Sequence, residues 1–140
     1  MVRAASIRLT LEQALREAIA AGELRLVYQP KRRLADNALE GFEALVRWHH
    51  PQRGEVMPGE FIPVAEQTDL IVELGDWVIR AACGQVRQWR DAGYETVPVA
   101  VNVAARQLQR GDLIGTIAAA LHEAGLEPAA LQLELTESAM

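Results

Sequence analysis

Apolar residues recur at Leu11, Ala14, Leu15, Ala18 and Ile19, a three-and-four spacing that predicts a leading helix within residues 1–22, ended by Gly22. Thr10-Leu11-Glu12-Gln13 has the spacing of a capping box and marks the expected start of that stripe. From Leu24 to Gln29 the rhythm changes to strict alternation, with Leu24, Leu26 and Tyr28 against Glu23, Arg25 and Gln29, which predicts a strand stopped by Pro30. A second strand is expected over Leu39–Trp48. One of its faces carries Phe42, Ala44 and Val46, and the other Glu43, Leu45 and Arg47.

Pro51, Gly54, Pro58 and Gly59 mark a loop, after which Phe61–Gln67 reads as a short helical piece. Leu70, Leu74, Trp77, Val78, Ala81, Val86 and Trp89 form the stripe of a long helix ending near Gly93. Val97–Val103 is almost wholly apolar until Asn102, as expected of a strand buried on both faces. Helical spacing resumes over Arg106–Leu108 and over Asp112–Ala124, with Gly125 as its stop, and Leu131, Leu133 and Leu135 alternate with polar residues in a last strand. Strands joined by helices of this length imply an α/β fold with parallel pairing, and a barrel and an open sheet both satisfy the pattern.

Composition narrows the class. The 140 residues suit one domain, and 50% hydrophobic with 24% charged residues is a globular balance. The net charge of -5 and the scattered basic residues disfavour DNA as a partner, because the one tight cluster, Lys31-Arg32-Arg33, is too short to hold a phosphate backbone alone. The single Cys83 excludes an internal disulfide and a cysteine-based zinc site, which suits a reducing cytoplasm. No run of about 18 apolar residues offers a membrane span.

Three strands place an acid or amide near the expected carboxyl end: Glu43, Asn102 and Glu134, with Glu137 just beyond. Ligand sites of parallel α/β folds lie at that edge, and converging oxygen donors suit a hard cation such as Mg²⁺ or Mn²⁺. Acids at strand ends are also commonly only solvated, and spacing alone leaves both readings open. His49 and His50 are adjacent on a strand, point to opposite faces and so make a poor zinc pair. Trp77, Trp89 and Cys83 lie on a helical stripe and read as core.

Several motifs follow one another in a known order: Tyr28-Gln29-Pro30; Glu43-Ala44-Leu45-Val46-Arg47-Trp48 with His50-Pro51; Pro58-Gly59-Glu60-Phe61-Ile62-Pro63 with Ala65-Glu66; Leu74-Gly75-Asp76-Trp77-Val78; Val101-Asn102 with Gln107; and Leu133-Glu134-Leu135-Thr136-Glu137. From about residue 24 to the end the chain resembles EAL domains, modules that bind cyclic di-GMP and hydrolyse it to the linear dinucleotide. The resemblance implies a (β/α)8 TIM-type barrel whose first strand runs antiparallel to the rest, here truncated after the fourth strand. It further implies that Glu43, Asn102 and Glu134 are ligands of a two-metal site of Mg²⁺ or Mn²⁺, with Glu43 and Glu137 in the catalytic machinery. By the same resemblance Arg47 holds a substrate phosphate, Gln29 and Leu45 contact the nucleotide, and Glu137 steadies a later loop.

Two departures from the family bear on function. Ala104 stands where members commonly carry Ser, and residues 1–140 as a single truncated EAL unit lack the paired aspartates, the lysine and the later glutamate of the second half. The expectation is therefore an incomplete site, inactive by itself, in a unit that pairs through its open barrel edge or forms a homo-oligomer. The alternative is a catalytically inactive module that senses cyclic di-GMP or binds a partner protein.

Overall fold

A computed structural model describes residues 2–136, with side chains from Thr10 onward. Helix α1 (Val2–Ala21) is followed by strand β1 (Leu24–Arg32), strand β2 (Leu39–His50), a short strand β3 (Gly54–Val56), and helices α2 (Pro58–Glu66) and α3 (Leu70–Asp91). Strand β4 (Val99–Val103), helices α4 (Ala105–Arg110) and α5 (Leu113–Ala124), and strand β5 (Leu131–Leu135) complete the described chain. The sheet runs β1-β2-β4-β5, with β3 attached to β2. β1 pairs antiparallel with β2, whereas β2–β4 and β4–β5 are parallel, so the first strand runs against β2, β4 and β5.

Three local expectations are corrected. α1 begins at Val2, which places Thr10 inside the helix rather than at its cap. Nothing between Val2 and Leu9 is a Gly or Pro that would break the helix, so the capping-box spacing has no terminus to cap. β1 continues through Pro30 to Arg32. Pro30 lies opposite Phe42, whose own N–H donates away from it to the Pro98 carbonyl at 3.0 Å. The Pro30 nitrogen therefore points out of the sheet edge, where a missing N–H costs no ladder bond. The stretch read as loop contains β3, which pairs Trp48 with Val56 and His50 with Gly54 across a tight turn where Gly54 takes φ +74°.

Even-numbered residues of β1 and β2 and odd-numbered residues of β4 face the helices. Trp48 packs with Leu15, Phe61, Leu70 and Leu74 beneath α1, α2 and the first half of α3. Ala44, Val99, Val101 and Val103 pack with Ile79, Cys83, Val86 and Leu121 of α3 and α5. The buried face of α3 is Leu70, Ile71, Leu74, Gly75, Ile79, Ala82, Cys83 and Val86, rotated from the expected stripe so that Trp77 and Ala81 are only half-buried. Trp89 covers Tyr28 and Phe42 with ring centroids 5.1 and 5.4 Å away. Burial pushes the Tyr28 hydroxyl up to about 12, with the nearby Cys83 adding to the shift.

The register of β5, and hence of Glu134, is held at its approach. Arg90 near the end of α3 grips Glu127 with two bonds of 2.7 and 2.8 Å, just before the 3-10 turn Pro128–Ala130 that leads into β5. The guanidinium holds the Glu127 carboxyl at about 2.

Candidate functional site

The pleat puts Gln29, Glu43, Leu45 and Arg47 on the sheet face opposite the helices, because Gln29 pairs with Glu43 and Arg25 with Arg47 in register. Glu43 lies within a long strand, not near its carboxyl end as expected. β2 runs on to His50 to pair with β1 and β3, whereas its parallel pairing with β4 ends at Glu43↔Ala100. Glu43 is thus the last residue at which the two parallel strands stay together. On β4 and β5, Asn102 and Glu134 are direct register partners.

These three side chains come together. Asn102 Nδ2 donates to Glu43 Oε2 at 3.3 Å, and Glu134 stands beside Asn102 on the same face. Among the described residues no three His, Cys, Asp or Glu side chains cluster, so Asn102 is needed to bring a third oxygen donor to the two carboxylates. With its amide nitrogen turned to Glu43, its Oδ1 is the atom left for a ligand. Two carboxylates and one carboxamide oxygen form a donor set that fits a hard divalent cation and suits soft metals poorly. Glu137 lies outside the described residues.

Beyond Glu43 and Ala100, β2 and β4 separate, and a cavity of about 220 Å³ opens where they diverge. Leu45, Arg47 and Asn102 line it from the sheet and Ala104, Gln107 and Thr136 from the segments that follow β4 and β5, while Ile62, Ile71 and Leu74 supply an apolar helical wall. Arg47 is half-buried there, and its Nη1 donates to the Val46 carbonyl at 2.9 Å. Gln29, Glu43 and Glu134 do not line this cavity, so the expected site residues divide into a carboxylate-amide group and an arginine pocket that share Asn102.

The floor of the pocket is held by Gln107, 4% exposed, whose Oε1 accepts the Ala104 N–H at 2.9 Å. That is half of a capping box for α4. Ala104 has no side-chain acceptor, so the Gln107 N–H turns to the Ala104 carbonyl at 3.1 Å instead. A serine at 104 would supply the missing half. Gln107 lies over Gly75, where a Cβ would fall 2.0 Å from Nε2, so any larger residue at 75 would push the amide out of its place.

One residue at the site escaped the sequence reading. Lys31 Nζ donates to Glu134 Oε1, joining one outer strand of the sheet to the other across the carboxylate group. Its signal was the alternation itself, which places Lys31 two residues beyond Gln29 on the same face once β1 runs through Pro30. His49 and His50 make their contacts around the β2–β3 turn. His50 Nδ1 accepts from the N–H groups of Gln52 and Arg53, both at 3.1 Å, and caps the β2–β3 turn, while exposed His49 faces Glu55 at 3.7 Å. Cys83 is buried, and burial raises its thiol above the ordinary range, which leaves it inert.

Comparison with known proteins agrees with this geometry. The EAL domain family model matches residues 12–140. The chain is 44% identical over 131 residues to the bifunctional diguanylate cyclase/cyclic di-GMP phosphodiesterase MucR of Pseudomonas aeruginosa, covering 94% of this chain and 19% of MucR. It is 44% identical over 140 residues to the cyclic di-GMP phosphodiesterase NbdA of the same organism, covering 100% of this chain and 18% of NbdA. The solved MucR phosphodiesterase in complex with c-di-GMP superposes with a TM-score of 0.85 over 94% of this chain and 53% of that one, at 44% identity. The Xanthomonas citri FimX EAL domain in complex with c-diGMP gives a TM-score of 0.84 at 27% identity, over 99% of this chain and 53% of that one. The chain therefore spans about a fifth of those curated relatives and about half of those solved chains. With the family model matched over residues 12–140 and the fold shared with solved EAL structures, the chain belongs to the EAL domain family.

Proposed function

We propose that this chain provides the Glu43–Asn102–Glu134 part of a metal-dependent cyclic di-GMP phosphodiesterase site, together with the arginine pocket that receives the dinucleotide. The observation that carries the reading is the 3.3 Å contact between Asn102 and Glu43, which draws donors from two strands onto one point beside Glu134. Glu43, Asn102 and Glu134 would hold Mg²⁺ or Mn²⁺, which when bound supplies an activated water and a counter-charge for the phosphate oxygens.

The chain's own residues do the binding and orienting. Arg47, half-buried at the mouth of an apolar-walled cavity, offers a fork of donors to a non-bridging phosphate oxygen in partly desolvated surroundings. Leu45 packs beside it and Gln29, opposite Glu43, reaches the nucleotide from the outer strand. The resemblance assigns Glu137, outside the described residues, to the catalytic group, steadying a loop from later in the family sequence. A cytoplasmic setting belongs to the same reading, and among the described residues no helix is long and apolar enough to cross a membrane.

Calorimetric titration with cyclic di-GMP, with and without Mg²⁺, tests the reading. Arg47→Ala is expected to weaken binding by about 2 kcal/mol, or roughly thirtyfold, the worth of a charge-assisted hydrogen bond. Unchanged affinity in that variant would remove the pocket from the site. In a form long enough to span the whole matched domain, binding with no turnover under any divalent cation would favour a sensor instead.

The exposure of Leu133 and Leu135, 44% and 49% on an outer strand, supports association of copies through the β5 edge. Sedimentation velocity is expected to show a concentration-dependent dimer, and a sharp monomer boundary at every concentration would rule this out.

A further inference from the structure

We propose that Lys31 is a built-in competitor of the divalent cation, sharing the Glu134 carboxylate with it and so setting how tightly the site holds metal. The inference rests on the reading of Glu43, Asn102 and Glu134 as metal ligands. Lys31 and Glu134 belong to the two outer strands of the sheet, yet their side chains meet. On the face between them, Gly41, the register partner of Lys31, has no side chain and Ala100 on β4 has only a methyl, so the lysine stem meets little bulk there, and Glu43 is the carboxylate that shares that face. Both partners are about one-third exposed, at 35% and 36%, so the pair is neither sealed in the core nor freely solvated.

The consequence is a competition of charges for one oxygen pair. Glu134 Oε1 accepts from the ammonium, and a cation that takes Glu134 as a ligand must share or displace that contact. A displaced Lys31 remains tethered nearby as a positive charge that repels a divalent ion and attracts a phosphate. The same residue thereby lowers metal affinity and adds to the attraction for the anionic dinucleotide.

A merely structural clip between the outer strands would act in the opposite direction. Its loss would loosen Glu134 and weaken metal binding, so the sign of the change separates the two roles. The experiment is titration of the full chain with Mn²⁺, with free ion followed by electron paramagnetic resonance, for the wild type, Lys31→Met, Lys31→Arg and Glu134→Gln. Lys31→Met is expected to bind Mn²⁺ about two- to fivefold more tightly, the range set by an exposed to half-exposed ion pair. Lys31→Arg, which keeps the charge, should stay near the wild-type affinity, and Glu134→Gln should bind more weakly.

Equal or weaker Mn²⁺ affinity in Lys31→Met, with Glu134→Gln still impaired, would overturn the role of Lys31 and leave the metal site standing. No effect of Glu134→Gln would overturn the metal reading itself, and the competition with it.

Discussion

Trp48→Ala is expected to destabilise the fold by about 3–5 kcal/mol, the cost of deleting a fully buried aromatic side chain. Trp48 is 0% exposed, meets Phe61 edge-on at 5.4 Å and 88°, and donates from Nε1 to Glu23 Oε1 at 3.0 Å. It stands where α1, α2, α3 and the β2–β3 hairpin converge, so the hole left by the indole cannot be filled by one element moving. Glu23 is only partly buried, so water can take over its lost hydrogen bond and the cavity carries most of the penalty. Because whole domains are stable by only about 5–15 kcal/mol, the variant should lose most of its cooperative transition. Urea unfolding followed by circular dichroism measures this, with Trp48→Phe as the comparison that keeps a ring against Phe61 and should cost less than half as much. A midpoint unchanged in Trp48→Ala would mean that the cluster beneath β2 does not hold the fold.

Glu43→Gln is expected to abolish metal-dependent hydrolysis of cyclic di-GMP in any form of the protein long enough to span the whole matched domain. The loss should be at least about a hundredfold, since even residues that only support metal ligands cost 10–100-fold. The substitution keeps the length of the side chain and an oxygen able to accept from Asn102, so the contact now measured at 3.3 Å survives and the fold is undisturbed. What disappears is the negative charge. A loss of activity without a loss of thermal stability therefore places Glu43 on the metal and not in the framework. Retention of more than about a tenth of the rate would show that Glu43 only orients Asn102. In the 140-residue chain itself, only Glu43, Asn102 and Glu134 gather among the described residues, and turnover is expected to be negligible.

Much of this was legible without coordinates, because it depends on period and order. Alternation in β1, β2 and β5 assigned faces to Gln29, Glu43, Leu45, Arg47 and Glu134 correctly, since side-chain direction in a strand follows from parity alone. Gly125 at φ +66° and Asp112 accepting from the Gly115 N–H at 3.1 Å bounded α5 as their residue types suggest. The errors came where a local signal needed a neighbour to give it meaning. Pro30 reads as a stop until the outer position of β1 shows that its missing N–H faces no partner strand, and with that error Lys31 was lost from the site.

The rotation of the α3 stripe has the same origin. Trp77 and Ala81 carry helical spacing as well as Ile79, Ala82 and Cys83 do, and only packing against β4 and α5 selects between them.

The sequence by itself determined the order of the helices and of the four longer strands, which strand residues share a face and which family the motifs resemble, because backbone period and turn chemistry act over a few residues. Only the tertiary structure decided that β2 and β4 part company after Glu43 and Ala100, opening the pocket beside Arg47. It alone also brought Lys31 to Glu134, from the first strand to the last. Separations of this kind are set by how a sheet curves and where its pairing ends, and those follow from the packing of the whole chain and not from any stretch of it.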